Sequence, residues 1–507
     1  MATDSNLTTR SAIELRALIG RRAISPVELM DACIARIQAL NPAINAIAAT
    51  DFERARAAAR QAEDAVMRGL PLGPLHGLPM GIKDLQDTAG LLTTSGNIGR
   101  RNHVPLHDGS LVARLRLAGA IVTAKTNVPD MGAGANTRNP VWGATGNPFN
   151  PMLNAGGSSG GSAAALAVDM LPLATGSDTG GSLRIPAALC GVVGLRPSPG
   201  VVANTARPLG WSVISVLGPM ARDIGDTLLM LRASAGFDPR DPLSFDMPAL
   251  TAASAPVDLS TLRIGYTEDF GQCAVDPAIR RTLRQRAKAL AGMVARCEPI
   301  TMDLGDADRV FDILRAESFF AGYAETLERA PDTLAPHVRA NVEMAGRMTL
   351  ADRAWAHLTQ TRIAQQFAKV FDDVDLIIAP TSPVTPFPWT TLYAQEVDGQ
   401  AMRNYYHWLA LTYLPTLATN PALALPCGRD EAGMPFGLQL IGPLRSDARL
   451  MAMALALEQA FASDPVLQRP KPDLQALQKP NPELRSIVTH PPGTAPGATD
   501  GATLTAV

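Results

Sequence analysis

Lysine is scarce in this sequence of 507 residues, in which 45 side chains are basic and 47 are acidic. Only six positions carry lysine, and the other 39 basic side chains are arginine. A lysine that stands among uncharged residues is therefore unusual in this chain. The formal charge of -2 gives no electrostatic reason to expect a nucleic acid or an anionic membrane as partner, since both bind clusters of basic side chains.

Cysteine and long apolar runs are also sparse. The five cysteines are far apart and show no CxxC spacing, which argues against a disulfide framework and a structural zinc site. The sequence has no run of about 18 apolar residues, the length that a membrane-spanning helix needs. The first residues include Asp4 and lack the apolar segment of a signal peptide. We therefore expect a cytoplasmic protein with reduced thiols.

Helical and strand-like segments alternate along most of the chain. Ser25, Pro26 and Glu28 predict a capped helix start, and a second helix is predicted from Asp51 to Gly69. The segment LPMGIKD predicts a short strand that places Lys83 at its end or just beyond it. Further helices alternate with apolar runs such as IVTAKT, LRIGYT, VDLIIAPTS, ALALP and FGLQLIG. This alternation predicts an α/β protein.

The sequence divides into three predicted parts. Residues 1–75 are predicted to form a helical N-terminal arm, and residues 76–463, which no comparable linker interrupts, a single large core. Residues 464–507 are rich in proline and finish in Gly, Ala and Thr. Because such a composition cannot build a core, we expect this tail to lie over the surface or to be mobile.

Charge is almost absent between Asn139 and Leu195. This stretch has three charged residues, Asp169, Asp178 and Arg184, and 11 of the 42 glycines. It is too rich in Asn, Ser, Pro and Gly for a lipid-facing helix. A buried core segment with tight turns explains the composition as well as a functional site does, so the order of the residues has to decide.

Two glycine pairs, each followed by serine, lie in this stretch. They occur in GGSSGGS and DTGGS, and a predicted helix and strand between them can bring Ser158 and Ser182 to one end of a sheet. Glycines before a serine let backbone N–H groups turn toward one point, as an oxyanion hole requires. A helix beginning at Ser182 would add its unpaired N–H groups and its positive dipole end.

A serine nucleophile needs a base, and three candidates arise. Residues 157–161 match the GxSxG pattern of a Ser-His-Asp hydrolase, but the preceding NPFNPMLNAG reads as a loop rather than the strand that this pattern needs. The seven histidines show no metal-binding spacing, so no metal is expected. Lys83 follows an apolar run, and a buried lysine with a lowered pKa can accept a proton. A plain ion pair of Lys83 with Asp84 or Asp87 remains an equal alternative.

A phosphate-binding loop is a weaker alternative. Gly119–Thr126 resembles GxxxxGKT with alanine at the second glycine, but its strand-like part lies inside the motif instead of before it. The serine-glycine clusters also lack the lysine and the acidic partner of a nucleotide-binding loop. No cofactor is therefore expected.

Over residues 10–463 the sequence resembles the amidase signature family of serine hydrolases. The similarity is densest in GGSSGGSAAALA and GSDTGGSLRIPAALCGVVGLRP, with GIKD upstream and APTSPVTP and PFGLQLIG downstream, in the order and spacing of the family. The resemblance implies an enzyme with a central mixed β-sheet flanked by helices. It also implies a Ser-Ser-Lys triad, an acyl-enzyme and a cis peptide bond before the middle serine.

Carried over to this sequence, the resemblance implies that Ser182 is the nucleophile, Ser158 relays the proton and Lys83 is the base. The cis bond would join Gly157 to Ser158. Backbone N–H groups would form the oxyanion hole at four positions: Thr179, Gly180, Gly181 and Ser182. Three further side chains would support the site, with Ser159 in the hydrogen-bond network and Asp178 and Arg184 holding the loop.

The substrate is a small-molecule amide in this interpretation. One subgroup of the family is the glutamine-hydrolysing component of tRNA-dependent amidotransferases, which holds the glutamine amino group with an acidic residue. The corresponding stretch here, Leu409–Pro415, is uncharged. We therefore expect a free-standing amidase for a small apolar or aryl amide, including anilides or carbamates, and keep the amidotransferase component as the alternative. A third hypothesis is a binding protein that has the fold of the family but no activity. The intact set of Lys83, Ser158 and Ser182 argues against it, because a binding protein does not need these residues.

Aromatic residues are the candidates for the substrate pocket. Two groups are considered, Phe319, Phe320 and Tyr323 in one segment and Tyr405, Tyr406 and Trp408 in another. Ordinary core packing explains the same residues, particularly the first group. The sequence leaves open whether the protein is a monomer or a homodimer.

Overall fold

The computed structural model describes residues 7–252 and 256–493. Helices and strands alternate as expected, and the α/β class with a central mixed sheet is confirmed. The described residues form thirteen α-helices: α1 (Ala12–Gly20), α2 (Pro26–Ile44), α3 (Phe52–Met67), α4 (Ser110–Leu117), α5 (Gly160–Ala167), α6 (Arg184–Cys190), α7 (Ile224–Ser234), α8 (Pro277–Ala291), α9 (Ala307–Arg329), α10 (Pro336–Gly346), α11 (Leu350–Val370), α12 (Ala410–Leu417) and α13 (Asp447–Ala462).

The same residues form seventeen strands: β1 (Ile47–Thr50), β2 (Pro79–Lys83), β3 (Ile121–Thr126), β4 (Arg138–Asn139), β5 (Gly143–Ala144), β6 (Gly146–Asn147), β7 (Asn150–Asn154), β8 (Leu173–Asp178), β9 (Val193–Arg196), β10 (Val216–Ala221), β11 (Arg263–Tyr266), β12 (Arg296–Pro299), β13 (Leu376–Pro380), β14 (Glu396–Val397), β15 (Gln400–Ala401), β16 (Ala422–Arg429) and β17 (Pro435–Ile441). Eleven of them build the central sheet in the order β1-β3-β2-β8-β10-β9-β16-β17-β13-β11-β12. The other six form three two-stranded sheets.

The central sheet is mixed, and its strand directions bring several chain ends to one edge. β2 runs parallel to both β3 and β8, whereas β10 runs antiparallel to β8 and to β9. The carboxyl ends of β2, β8 and β9 therefore lie at the same edge as the start of β10. The loops that leave these ends share that edge, and this arrangement positions the candidate site.

The predicted helix starts follow from local chemistry. Ser25 caps α2 with a full capping box, in which its hydroxyl accepts from the first turn while Glu28 accepts from the Ser25 N–H group. Asp51 caps α3 by accepting from the Arg54 N–H group. Strands β2 and β17 are buried along their whole length, as their mostly apolar sequences indicate.

The N-terminal segment is not purely helical, in contrast to the prediction for residues 1–75. Its residues 47–50 form β1, which pairs antiparallel with β3 at the edge of the sheet. A large apolar core extends in sequence from Leu7 to Leu477 and includes side chains of α1 and α2. The segment therefore packs as part of the main body, and the boundary at residue 75 stays a prediction.

The described part of the predicted tail, residues 464–493, lies against the body of the protein. The side chains of Leu467, Leu477 and Leu484 are buried, and Leu484 packs with Ala144 and Trp389 in a small apolar cluster. Apolar anchors of this kind hold a proline-rich segment on a surface. Residues 494–507 of the predicted tail lie outside the described residues.

Candidate active site

Lys83 is the last residue of β2 and is fully buried. Its Nζ atom donates hydrogen bonds to Ser158 Oγ at 2.7 Å, Ser159 Oγ at 2.8 Å and Ser177 Oγ at 2.9 Å. Burial lowers the pKa of Lys83 from its ordinary value of 10.5 to about 7, and the charge of Asp178 only partly opposes this shift. The lysine therefore lies among hydroxyl groups. With this pKa a large fraction of its side chain is the neutral amine near neutral pH.

The alternative interpretation of Lys83 as an ion-pair partner is wrong. Within residues 7–252 and 256–493 Lys83 has no carboxylate within ion-pair distance, and the adjacent Asp84 points elsewhere. The Asp84 carboxylate accepts hydrogen bonds from the Thr94 N–H group and hydroxyl group. Asp87 pairs with Arg100. Side chains of successive residues at a strand end face opposite sides, which separates the lysine from its acidic neighbour.

Ser158 and Ser159 enter the site just before α5. The Gly157–Ser158 peptide bond is cis, and Ser159 occupies the N-cap position of α5. The preceding segment was expected to be a loop, but Asn150–Asn154 forms β7, paired with β6 outside the central sheet. Asparagine side chains support this pairing, because Asn147 Nδ2 donates to the Asn154 carbonyl group, so no apolar alternation marks it in the sequence.

Asp178 organises the turn that carries Ser182. Its carboxylate accepts hydrogen bonds from the N–H groups of Gly181 at 2.8 Å and Leu183 at 3.1 Å. The Ser182 carbonyl group in turn accepts from the Ser159 N–H group at 3.2 Å, which ties the two glycine-serine segments together. Helix α6 consequently begins at Arg184 and not at Ser182 as expected, because the chain first turns around the buried carboxylate.

The predicted oxyanion hole needs one correction. The Gly181 N–H group is already bonded to Asp178 and cannot also point into the site. The N–H groups of Thr179, Gly180 and Ser182 donate to no acceptor within the described parts of the chain. Gly181 has another role, since its φ is 124° and a Cβ there would lie 2.2 Å from Thr412 Oγ1. This close approach with positive φ requires glycine.

The ion pair of Asp178 and Arg184 is fully buried and bidentate. Arg184 Nε and Nη2 donate to the two carboxylate oxygens at 3.1 and 2.9 Å. Arg196, which the sequence analysis missed, also contacts the carboxylate at 3.3 Å. Burial alone would raise the pKa of Asp178, but the two arginines together hold it well below its ordinary value. The predicted pair of Asp178 and Arg184 is therefore a cluster of three buried charges that includes Arg196.

The interpretation of Gly119–Thr126 as a phosphate loop has no support in the fold. Its residues 121–126 form β3, so the strand lies inside the motif and no helix follows it directly in the described chain. Lys125 is fully buried, and its Nζ donates to the Gln86 carbonyl group and to Thr88 Oγ1. This lysine holds the turn after β2.

A cavity of about 750 Å³ opens at this edge of the sheet. Ser158, Ser177 and Ser182 lie on its wall together with Thr179 and Gly180. None of the seven histidines is among its lining residues, so a Ser-His-Asp arrangement is absent from this cavity. Its volume is in the range of small-molecule sites.

A sequence profile of the family described as Amidase matches residues 28–451. The chain belongs to the amidase signature family. A curated relative from Acidothermus cellulolyticus, named as a subunit of glutamyl-tRNA(Gln) amidotransferase, is 34% identical over 487 residues. The match covers 90% of this chain and 95% of the relative. A relative of the same name from Roseiflexus castenholzii is 35% identical over 472 residues, covering 88% of this chain and 94% of the relative.

Solved structures agree with this membership. The crystal structure of a bacterial aryl acylamidase of the amidase signature family superimposes with a TM-score of 0.83 at 27% identity. The match covers 90% of this chain and 96% of that one. The chain is thus an enzyme that acts on amide bonds. In the described parts of the chain no helix is both long and apolar enough to cross a membrane.

Four of the predicted aromatic residues line the cavity, and Trp408 does not. These four are Phe319 and Tyr323 on α9 together with Tyr405 and Tyr406. Trp408 is buried against Phe387, with its indole N–H bonded to the Tyr405 carbonyl group. It is a core residue because its side chain is buried and is not among those that line the cavity. Phe320, also considered, is largely exposed.

The structure adds lining residues that sequence reasoning missed. Ser177 lies one residue before Asp178 in the GSD motif, and its contact with Lys83 follows from the parallel pairing of β2 and β8. Three arginines, Arg100, Arg207 and Arg315, also line the cavity. Among 39 arginines no local pattern marks these three, so only the tertiary structure identifies them. The cavity is therefore less apolar than the predicted aryl-amide pocket.

Proposed function

We propose that this amidase hydrolyses a carboxylic amide through an acyl-enzyme on Ser182, with Ser158 as proton relay and Lys83 as base. The observation that carries the proposal is the 2.7 Å contact between Lys83 Nζ and Ser158 Oγ in a fully buried setting. Burial lowers the pKa of Lys83 to about 7, so its amine can accept a proton near neutral pH. The position of Ser182 on the same cavity wall gives the substrate access to the nucleophile.

The reaction then proceeds in two halves. Neutral Lys83 takes the proton of Ser158 as Ser158 takes that of Ser182, and Ser182 Oγ attacks the amide carbon. The N–H groups of Thr179, Gly180 and Ser182 are the donors available to the oxyanion, where the loss of one donor typically lowers the rate by about 10² to 10³. The proton returns through Ser158 to the leaving nitrogen as the C–N bond breaks. Water then attacks the carbon of the ester and gives a proton to the relay of Ser158 and Lys83. The relay returns a proton to Ser182 Oγ as the ester bond breaks, and the carboxylic acid is released.

Two substrate assignments have support. The aryl acylamidase structure supports a free-standing amidase, whereas the two curated relatives named as amidotransferase subunits support the glutamine-hydrolysing alternative and match at higher identity. Against glutamine, Asp87 is the one carboxylate among the lining residues of the cavity, and it is already paired with Arg100. The ammonium group of glutamine would thus lack a free acidic partner on that wall.

The decisive experiment measures ammonia or amine release by the purified full chain from aliphatic, aryl and glutamine amides. Ser182→Ala is expected to abolish turnover while circular dichroism and the Tm stay close to those of the parent. Turnover retained by Ser182→Ala contradicts the assignment of the nucleophile. Rapid glutamine hydrolysis that depends on added partner subunits would favour the amidotransferase alternative over the free-standing enzyme.

A further inference from the structure

The peptide group between Gly180 and Gly181 is held at both of its polar ends. Its carbonyl group accepts a hydrogen bond from Thr412 Oγ1 at 2.6 Å, and its N–H group donates to Asp178 Oδ1 at 2.8 Å. The side chains of Thr412 and Asp178 are fully buried. Because the carbonyl and N–H groups of a trans peptide point in opposite directions, partners at both ends fix the orientation of its plane.

This fixation matters because both residues of the peptide are glycine. Glycine lacks a Cβ and has access to many backbone conformations, so side-chain sterics do not order the chain here. The free N–H groups of Gly180 and Ser182 belong to the two neighbouring peptides. They turn away from the cavity by rotation about ψ of Gly180 or φ of Gly181, and holding the peptide between these two bonds restricts both rotations.

The helix that carries Thr412, α12, is anchored to the rest of the site. Pro415 lies inside this helix and has no N–H group for the Leu411 carbonyl group. Gln439 Nε2 donates to that carbonyl group instead, at 2.7 Å. Arg184 Nη1 donates to the Thr412 carbonyl group at 2.8 Å. Thr412 therefore approaches the glycines from a support that is itself held in place.

The space around the two glycines is also filled. A Cβ at Gly180 would lie 2.8 Å from Phe311 Cζ, and a Cβ at Gly181 would lie 2.2 Å from Thr412 Oγ1. The ring of Tyr413, next to Thr412 in α12, stacks on Phe311 with 4.2 Å between the centroids. The peptide thus lies between a hydroxyl group on one helix and an aromatic ring on another.

We propose that Thr412 is a positioning residue for the oxyanion hole, whose hydroxyl group holds the peptide of Gly180 and Gly181 so that the flanking N–H groups point into the cavity. This inference rests on the proposed amide hydrolysis at Ser182. Thr412 is not among the lining residues of the cavity, so it acts through the backbone and not on the substrate. Donors fixed in advance stabilise the charge that develops in the transition state, and their loss slows the reaction more than it weakens substrate binding.

An ordinary contact within the helix is the competing explanation. Threonine in a helix commonly donates to a carbonyl group three or four positions earlier, and Thr412 Oγ1 lies 2.9 Å from the Leu409 carbonyl oxygen. The hydroxyl group has one proton, and its shorter contact is the one with Gly180. If only the contact with Leu409 mattered, removal of the hydroxyl group would change stability and leave catalysis unaffected.

The first experiment compares Thr412→Ala with Thr412→Ser on the amide that the wild-type chain hydrolyses fastest. Both variants lose the methyl group, and only serine keeps the hydroxyl group. We expect kcat of Thr412→Ala to lie about 10- to 100-fold below that of Thr412→Ser, with KM values within about threefold of each other. Thr412→Ser should stay within about threefold of wild type in kcat. Equal kcat values for the two variants, or a loss confined to KM, overturn the proposal.

Thr282 on α8 provides the matched control. It is buried, and its Oγ1 donates to the Ala278 carbonyl group at 2.9 Å, a contact of the same kind as that between Thr412 and Leu409. Thr282→Ala should have a lower Tm than Thr282→Ser, with the same kcat and KM. A difference in kcat as large as that of the Thr412 pair would show that lost stability alone slows the enzyme, and it would contradict the specific role of Thr412.

Calorimetric binding of phenylboronic acid separates this inference from the proposed function. A boronic acid forms a tetrahedral adduct with a serine hydroxyl group and places an oxygen where the oxyanion would lie. We expect its Kd to be about tenfold or more higher for Thr412→Ala than for Thr412→Ser, with similar Kd values for benzamide. If wild type binds the boronic acid but hydrolyses no amide, the proposed function fails, and this comparison still decides the role of Thr412. Equal effects on both ligands contradict that role, and a wild type that neither hydrolyses an amide nor binds the boronic acid contradicts both.

A second variant replaces Thr412→Ala if that protein does not fold. Thr412→Val keeps the shape of the side chain and has a methyl group in place of the hydroxyl group. Because a methyl group cannot donate to the Gly180 carbonyl group, kcat should fall at least about tenfold below that of Thr412→Ser, with little change in KM. A kcat equal to that of Thr412→Ser overturns the proposal.

Discussion

Lys83 Nζ lies 2.7 Å from Ser158 Oγ although 75 positions separate the two residues in the chain. Both are buried, with Lys83 at the end of β2 and Ser158 next to a cis peptide bond. The parallel pairing of β2 with β8 completes the cluster by adding Ser177. In the described part of the chain the Lys83 amine thus contacts hydroxyl groups and no carboxylate, a setting suited to proton transfer.

The pH dependence of acylation should report Lys83 as the base. Since burial lowers the pKa of Lys83 to about 7, the neutral amine accumulates as the pH rises through that value. We expect kcat/KM to rise about tenfold per pH unit below this point and to level off above it. Initial rates between about pH 5 and pH 10 measure this limb, and a limb near the ordinary lysine value of 10.5 would contradict the assignment.

Replacing Lys83 should also change how stability depends on pH. Its folded-state pKa is lowered to about 7 from 10.5, so below pH 7 the folded state has to bury a charge, and the penalty disappears as the pH rises toward 10.5. Lys83→Met should therefore raise the Tm most at about pH 6 and least at about pH 10. Lys288→Met, on the exposed face of α8, is the control and should show no such trend. A pH-independent difference for Lys83→Met would oppose the burial argument.

Ser177→Ala tests the hydroxyl that the sequence analysis missed. Ser177 Oγ accepts from Lys83 Nζ at 2.9 Å, which favours the protonated amine. Its removal should move the pH limb to lower pH and reduce kcat/KM by roughly two- to tenfold, the range of one hydrogen bond. Ser463→Ala, at the exposed end of α13, is the control. An unchanged pH limb would mean that Ser177 does not act on Lys83.

Asp178→Asn should destabilise the fold as well as the site. The substitution keeps the shape but leaves Arg184 and Arg196 buried without their carboxylate. Breaking a buried pair of this kind typically lowers the free energy of unfolding by about 3–5 kcal/mol. Urea unfolding measures the change.

The matched control for Asp178→Asn is Glu325→Gln. Glu325 pairs with Arg329 on the exposed surface of α9, where both side chains are more than 70% exposed. We expect a change of at most about 0.5 kcal/mol for this variant. Similar effects of the two substitutions would argue against the structural importance of the buried charges.

Sequence reasoning succeeded where a local pattern has one physical cause. The continuous apolar run before Lys83 predicted a buried strand end, and β2 ends at that residue. The capping residues Ser25 and Glu28 predicted the start of α2. It failed at β7, where asparagine side chains stabilise the strand, and at α6, whose start depends on the Asp178 carboxylate.

By itself the sequence determined the α/β class, the membership in the amidase family and the rare lysine and serines worth testing, because motifs and periodicity are local properties. Only the tertiary structure decided that Lys83 has no acidic partner among the described residues, that the Gly181 N–H group is occupied and that Arg315 lines the cavity. These properties depend on contacts between distant residues, such as Arg315 and Tyr405, which lie 90 positions apart. Burial and hydrogen-bond pairing set the charge of a site, and neither is encoded in the neighbouring residues.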